Sequence, residues 1–161
     1  MLKSILNICC SILLTIPVMA NAQAQSNAVQ TAIEEIGKQY APDAQTAIYT
    51  LSGEWTNDTL CLLKGECDNR EAVDALLHRL DAAGISYMNQ IKLLPDQQLG
   101  DKTRGVVTVC CAHLRGAPRH ASEMVSQAIL GTPLLILEKQ KDWYRVQTPD
   151  NYISWIIANS I

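Results

Sequence analysis

Apolar residues are spaced differently in successive stretches of the chain, and the spacing predicts different elements. Ile5 to Val18 is a nearly unbroken apolar run behind Lys3. From Asn27 to Tyr40, apolar side chains recur at Val29, Ile33, Ile36 and Tyr40. That i, i+4, i+7 stripe predicts a short amphipathic helix, limited by Gly37 and Pro42. Thr46–Trp55 and Thr59–Lys64 are rich in Thr, Tyr, Ile and Leu, with Asn57-Asp58 between them. Both turn residues tolerate left-handed backbone, so two antiparallel strands are expected there.

The clearest helical pattern follows. Ala72, Val73, Leu76, Leu77, Leu80 and Ala83 form one apolar face. Asp68 or Asn69 can cap its start, and Gly84 is a natural left-handed stop. Ile85–Leu94 then reads as a strand closed by Pro95. The order helix, strand, strand, helix, strand predicts a small α+β domain over 27–94, one helix packed on a three-stranded sheet. A sheet that small needs a helix to bury its apolar face. Residues 95–103 begin with the polar PDQQLGDK and read as a linker. Beyond them, over 104–161, short apolar strands are expected at Val106–Cys111, Leu134–Glu138, Trp143–Gln147 and Tyr152–Ile156. Pro, Gly, Asp and Asn separate them, the spacing of a small all-β barrel.

Composition adds the compartment and narrows the partners. The basic start, the short apolar run, and small residues at Val18-Met19-Ala20 and Ala20-Asn21-Ala22 describe a secretory signal peptide over 1–24. The run is shorter than the roughly 20 residues of a membrane span. Export to the periplasm or cell envelope is therefore expected, with no membrane span after cleavage. From Gln25 to Thr103 there are six Lys or Arg against twelve Asp or Glu; from Arg104 onward, six against four. The acidic balance argues against nucleic acid as a partner, since its recognition needs a basic patch or stripe. Cys61, Cys67, Cys110 and Cys111 would survive cleavage. Adjacent cysteines on a strand point to opposite faces, which disfavours a Cys110–Cys111 link. A Cys61–Cys67 bridge requires the strand to end there, and buried free thiols are the simpler expectation.

In the C-terminal stretch, the order of residues is distinctive. Val107-x-Val109 is followed by Leu114-Arg115-x-x-Pro118, Ser122 and Ala128-x-x-Gly131. Then comes Trp143-Tyr144-x-Val146-x-x-Pro149-Asp150-x-Tyr152-x-x-Trp155-Ile156. This set resembles a bacterial SH3 domain (SH3b), the small barrel found beside many cell-wall hydrolases. Asn151 and Ser154 stand where that family usually has Gly; Asn tolerates positive φ, while Ser154 adds bulk in a strand. Together with the acidic α+β region and the Leu-Pro-Asp linker, the chain resembles the N-terminal, non-catalytic part of Bacteroides-type NlpC cell-wall cysteine peptidases. In that family a papain-like catalytic domain follows the barrel. The resemblance implies an α+β chain, a helix-plus-three-stranded-sheet domain followed by an all-β SH3-like barrel.

Cysteine peptidase chemistry needs a thiolate, a His in reach and a group orienting that His. Cys110 or Cys111 with His113 or His120 falls short of this, because no helix N-terminus is expected there to depress the thiol pKa. The same residues lack the paired spacing that wraps zinc. His78 on the second helix reads as solvent-exposed, and no cofactor motif is present. The expectation is a protein without catalytic, metal or cofactor sites of its own. Binding has better support. Trp143, Tyr144, Tyr152 and Trp155 are half of the eight aromatics, and aromatic faces give large contact area at small entropic cost. Arg115 adds a fork for a carboxylate. Trp155 and Val146 are expected in the core; Arg115, Trp143, Tyr144 and Tyr152 are the candidate ligand contacts. The resemblance makes the expected partner a peptidoglycan stem or cross-bridge peptide, or the catalytic domain of a cell-wall hydrolase.

Overall fold

The computed structural model describes residues 23–57 and 59–161. The apolar run, the expected cleavage positions, Cys9 and Cys10 lie outside them. Helix α1 covers 23–40, and its buried side chains are Val29, Ala32, Ile33 and Ile36, the stripe visible in the sequence. Strands β1 (Ser52–Asn57) and β2 (Leu60–Cys67) pair antiparallel. Asn57 shapes the turn between them: its side-chain oxygen accepts from the Thr59 and Leu60 amides at 3.0 and 2.8 Å. Helix α2 (Arg70–Ala82) is capped by Asn69, whose side chain accepts from the Glu71 and Ala72 amides, and Gly84 at φ 67° ends it. Strand β3 (Ser86–Leu93) returns parallel to β2, from Leu60 opposite Ser86 to Cys67 opposite Leu93.

The three strands lie in the order β1-β2-β3. Two helices, rather than the expected one, share their core. Val29, Ile33 and Ile36 of α1 meet Ala72, Leu76 and Leu80 of α2 around Cys61, Leu63 and Cys67. Gly65 (φ 119°) lets the chain before β1 cross close by, since a Cβ there would overlap the Thr50 carbonyl oxygen. Cys61 and Cys67 are both fully buried, and burial pushes both thiols up from their ordinary pKa. Six residues apart on one strand, they are separated by about 20 Å, beyond the reach of a disulfide. Both are free. Cys110 and Cys111 are also free but exposed, which corrects the expectation of buried thiols.

The second sheet has six strands: β4 (Arg104–Val106), β5 (Cys111–Arg115), β6 (Met124–Ile129), β7 (Pro133–Gln140), β8 (Trp143–Gln147) and β9 (Ile153–Ile157). Their order is β4-β7-β8-β9-β5-β6. Its inner face buries Ala112, Leu114, Ala128, Leu134, Ile136, Val146 and Ile156, with Val107. The expected strand Val106–Cys111 is instead a turn joining β4 to β5. Val107 trades backbone hydrogen bonds with Gly131 and Thr132 there, and Thr108 donates to Ser160. The unexpected strand β6 leaves Ser126 and Gln127 exposed and buries only Ala128, so its apolar pattern is faint.

Residues 95–103 do not hang free between the modules. Asp96 donates its amide to the Leu137 carbonyl at 2.7 Å, caps a 3-10 turn at Gln97–Leu99, and lies beside Lys92 at 3.2 Å. A small apolar cluster of Ile48, Leu94 and Leu137 joins the modules, and the Ile153 amide donates to the Gln45 carbonyl at 2.8 Å.

Ser154, at the position where Gly was anticipated, is 3% exposed, and its hydroxyl has no hydrogen-bond partner. An unpaired buried hydroxyl costs on the order of 1–3 kcal/mol. Ser154→Ala should therefore raise stability by about 1 kcal/mol, read as a higher urea midpoint with an unchanged slope. A lower midpoint would show that the hydroxyl is satisfied in solution.

Candidate functional site

Strand alternation decides which barrel side chains face outward. On β9, Ser154 and Ile156 take the inward positions, so Trp155 between them faces out. It is half-buried on the outer face, which corrects its expected place in the core. Trp155 lies opposite Arg115 on β5 and opposite Arg145 on β8, and Arg145 lies opposite Glu138 on β7. One cross-strand row therefore reads Arg115, Trp155, Arg145, Glu138. The Arg145 guanidinium sits 5.8 Å from the Trp155 ring centroid, within cation–π range.

The four residues singled out by sequence do not converge on one groove. Arg115 is half-buried, and its Nη1 donates to the Ser122 carbonyl at 2.7 Å, closing the loop between β5 and β6. Part of its fork is thus spent on the protein itself. Trp143 shares the outward side with Arg145 yet is only 7% exposed. The His120 and Trp143 rings meet in a T-shaped arrangement, centroids 5.1 Å apart at 64°, so Trp143 anchors the loop and offers a ligand little surface. Tyr144 points to the opposite side, packs against the barrel core, and carries Lys139 at 5.4 Å above its ring. Tyr152 is half-buried beyond the turn at Asn151 (φ 66°), and its carbonyl accepts from the Thr148 amide and hydroxyl. His113 and Cys111 lie exposed on the outward side of β5, and His78 is exposed on α2.

The row continues into a charged seam that the sequence did not disclose. Arg145 Nη1 reaches Glu66 of the first module at 2.9 Å and Glu138 of the barrel at 3.2 Å. Lys92 Nζ approaches Glu138 at 2.6 Å, Asp96 at 3.2 Å and Glu66 at 3.4 Å. Burial opposes the Lys92 charge, but the hydrogen bonds to Glu138 and Asp96 outweigh it and hold its pKa above the ordinary lysine value. Asp96 is held below the usual carboxylate range, chiefly by the Gln98 amide and then, against partial burial, by Lys92. Gln147 completes the seam by donating to the Thr46 carbonyl at 3.2 Å. Glu138 shows only 11% of its side chain. It depends on both cations, because a carboxylate so enclosed is costly without partners.

Residues 114–161 match the family described as bacterial dipeptidyl-peptidase Sh3 domain. The barrel is of the bacterial SH3 type. Residues 1–113, with the helix-and-sheet module, lie outside that match. Among solved structures, NlpC2 from Trichomonas vaginalis is similar over 34% of this chain and 21% of that one, at 20% identity and a TM-score of 0.31. No curated protein matches the chain. No helix among the described residues is long and apolar enough to cross a membrane.

In the SH3 barrel, Arg145→Gln would leave Glu66 and Glu138 facing each other with Lys92 alone between them. A loss of about 1–2 kcal/mol is expected, between the worth of a surface pair and that of a buried one. Urea unfolding at low salt should show it, and 1 M NaCl should shrink the difference from the unaltered protein. The Lys92 contribution has the opposite sign from a carboxylate's. It is present below the unfolded lysine value near 10.4 and fades as pH rises through the higher folded value.

Proposed function

We propose that this chain is an exported module that binds a peptide of the bacterial cell wall through its SH3 barrel and carries no reaction of its own. The observation that supports it most is the SH3 match at 114–161 on a barrel with an outward Arg115–Trp155–Arg145 row. The outward Trp155 ring beside the Arg115 guanidinium suits a ligand with an apolar stem and a free carboxylate, the chemistry of a peptidoglycan stem or cross-bridge peptide. Of the residues expected from sequence, Arg115 and Tyr152 remain ligand contacts in this reading, whereas Tyr144 packs against the barrel core on the other side. Trp143 supports the loop that Arg115 closes. The basic start and apolar run of residues 1–24 support export to the periplasm or envelope.

A second reading is favoured by the family description and by an apolar rim on the barrel. There the chain is the accessory front of a wall peptidase, and the barrel packs against a catalytic domain. Val106, Ile129 and Leu130 are 47%, 69% and 59% exposed. Residues this apolar and this open fit a protein surface better than solvent. An in-frame segment bearing Cys and His downstream of Ile161 in the gene would favour this reading over the first.

For the leading reading, sedimentation with purified peptidoglycan should retain the mature protein. Arg115→Ala with Tyr152→Ala should cut retention by roughly 10-fold or more, a loss of about 1.4 kcal/mol, while Tyr87→Ala in the first module leaves it unchanged. Equal retention of all three proteins, or none of the unaltered one, contradicts wall binding by the barrel.

A further inference from the structure

The turn Thr148–Asn151 between β8 and β9 separates two grooves. One, of about 310 Å³, has Pro133, Leu134 and Pro149 in its wall, and Arg104 is its one charged residue. The other, of about 180 Å³, runs along Ser126–Ile129 of β6, and Asp150 is its one charged residue. Thr148 and Pro149 line both, so the grooves are neighbours across a single ridge.

The two charges differ from those at the seam. Arg104 and Asp150 are both exposed, and neither has an ion-pair partner among the described residues. They are also held in place. Arg104 lies on β4, opposite Leu135 of β7. The Asp150 carboxylate accepts from the Thr148 hydroxyl, and hydrogen bonds from that hydroxyl and from backbone hold its pKa below the usual carboxylate value. Gln147 ties the turn down, donating to the Asn151 and Thr46 carbonyls at 3.2 Å each. A ligand of one sign would satisfy one groove and be repelled from the other. An extended peptide gains about 3.3 Å with each residue, which separates its two charged ends across the ridge of Thr148 and Pro149.

We propose that these paired grooves take the two free ends of a short zwitterionic peptide, its amine facing Asp150 and its carboxylate facing Arg104. This rests on the wall-peptide reading and adds to the Arg115–Trp155 face a second contact region at the Thr148–Asn151 turn: the barrel recognises cut peptides by their termini, with the middle of the peptide lying over Pro149. The recognition needs no particular side chain, because backbone ends and an apolar ridge supply the contacts.

Calorimetric titration of the mature protein with Ala-Ala-Ala, its N-acetylated form and its C-amidated form tests this. Blocking either end should weaken binding at least 10-fold. Asp150→Asn should weaken the free peptide similarly and remove the effect of acetylation; Arg104→Gln should remove the effect of amidation. Both side chains are exposed, and an unchanged melting temperature confirms that the variants fold. Equal affinity for blocked and free peptides, variants indistinguishable from the unaltered protein, or no saturable binding of the free tripeptide would overturn the proposal. Sedimentation with intact peptidoglycan separates the two ideas. Retention there alongside indifference to peptide ends leaves the wall reading standing and removes end recognition, whereas no retention removes the wall reading itself.

Discussion

The Arg145 guanidinium lies between Glu66 of the first module and Glu138 of its own barrel, with the Trp155 ring beside it. Three parts of the molecule meet at that side chain. Through Glu66 it fixes β2 against the barrel. Through Glu138, shared with Lys92, it draws in β3 and the turn at Asp96. Through Trp155 it holds the outward aromatic that stands next to Arg115. Two cations and three carboxylates nearly balance, and only their closeness makes a partly enclosed Glu138 tolerable. The apolar contacts of Ile48, Leu94 and Leu137 lie close to this network and exclude water from part of it. The orientation of the barrel's outer face relative to the first sheet therefore depends on charge as much as on burial.

Much of the fold was legible because each helix and most strands bury a regular stripe. Val29, Ile33 and Ile36 marked α1, and Leu76 and Leu80 marked α2 together with its Asn69 cap and Gly84 stop. β8 was expected at Trp143–Gln147 and lies there. Strand β6 escaped because one inward residue, Ala128, is too weak a signal among Ser and Gln. Val106–Cys111 looked like a strand on apolar content, but Val107 is buried at a turn, where it pairs with Gly131 and Thr132. Trp155 was misplaced for a different reason. Size and hydrophobicity put it inside, whereas the period-2 alternation set by Ser154 and Ile156 turns it outward.

The candidate site was less legible than the fold. A sequence shows which residues are aromatic or charged, not which ones are already committed to the protein. Trp143 packs against the His120 ring, and one arm of Arg115 holds Ser122. Conversely, Arg104 and Asp150 carry no local pattern, and their interest comes from having no ion-pair partner among the described residues beside grooves that share Thr148 and Pro149. The seam pairs Glu66 with Arg145 across 79 positions of sequence, a separation that no local motif reports. The barrel's surface therefore divides into charges that hold the two modules together and charges left free to meet a ligand.

Backbone amide shifts of the isotope-labelled mature protein, followed during titration with soluble peptidoglycan fragments, test the central claim most directly. The account predicts saturable shifts within 104–161, around the outward face of β5, β8 and β9 and the Thr148–Asn151 turn, with the first module's helices unmoved. Shifts confined to 23–94, or none at all, would contradict it.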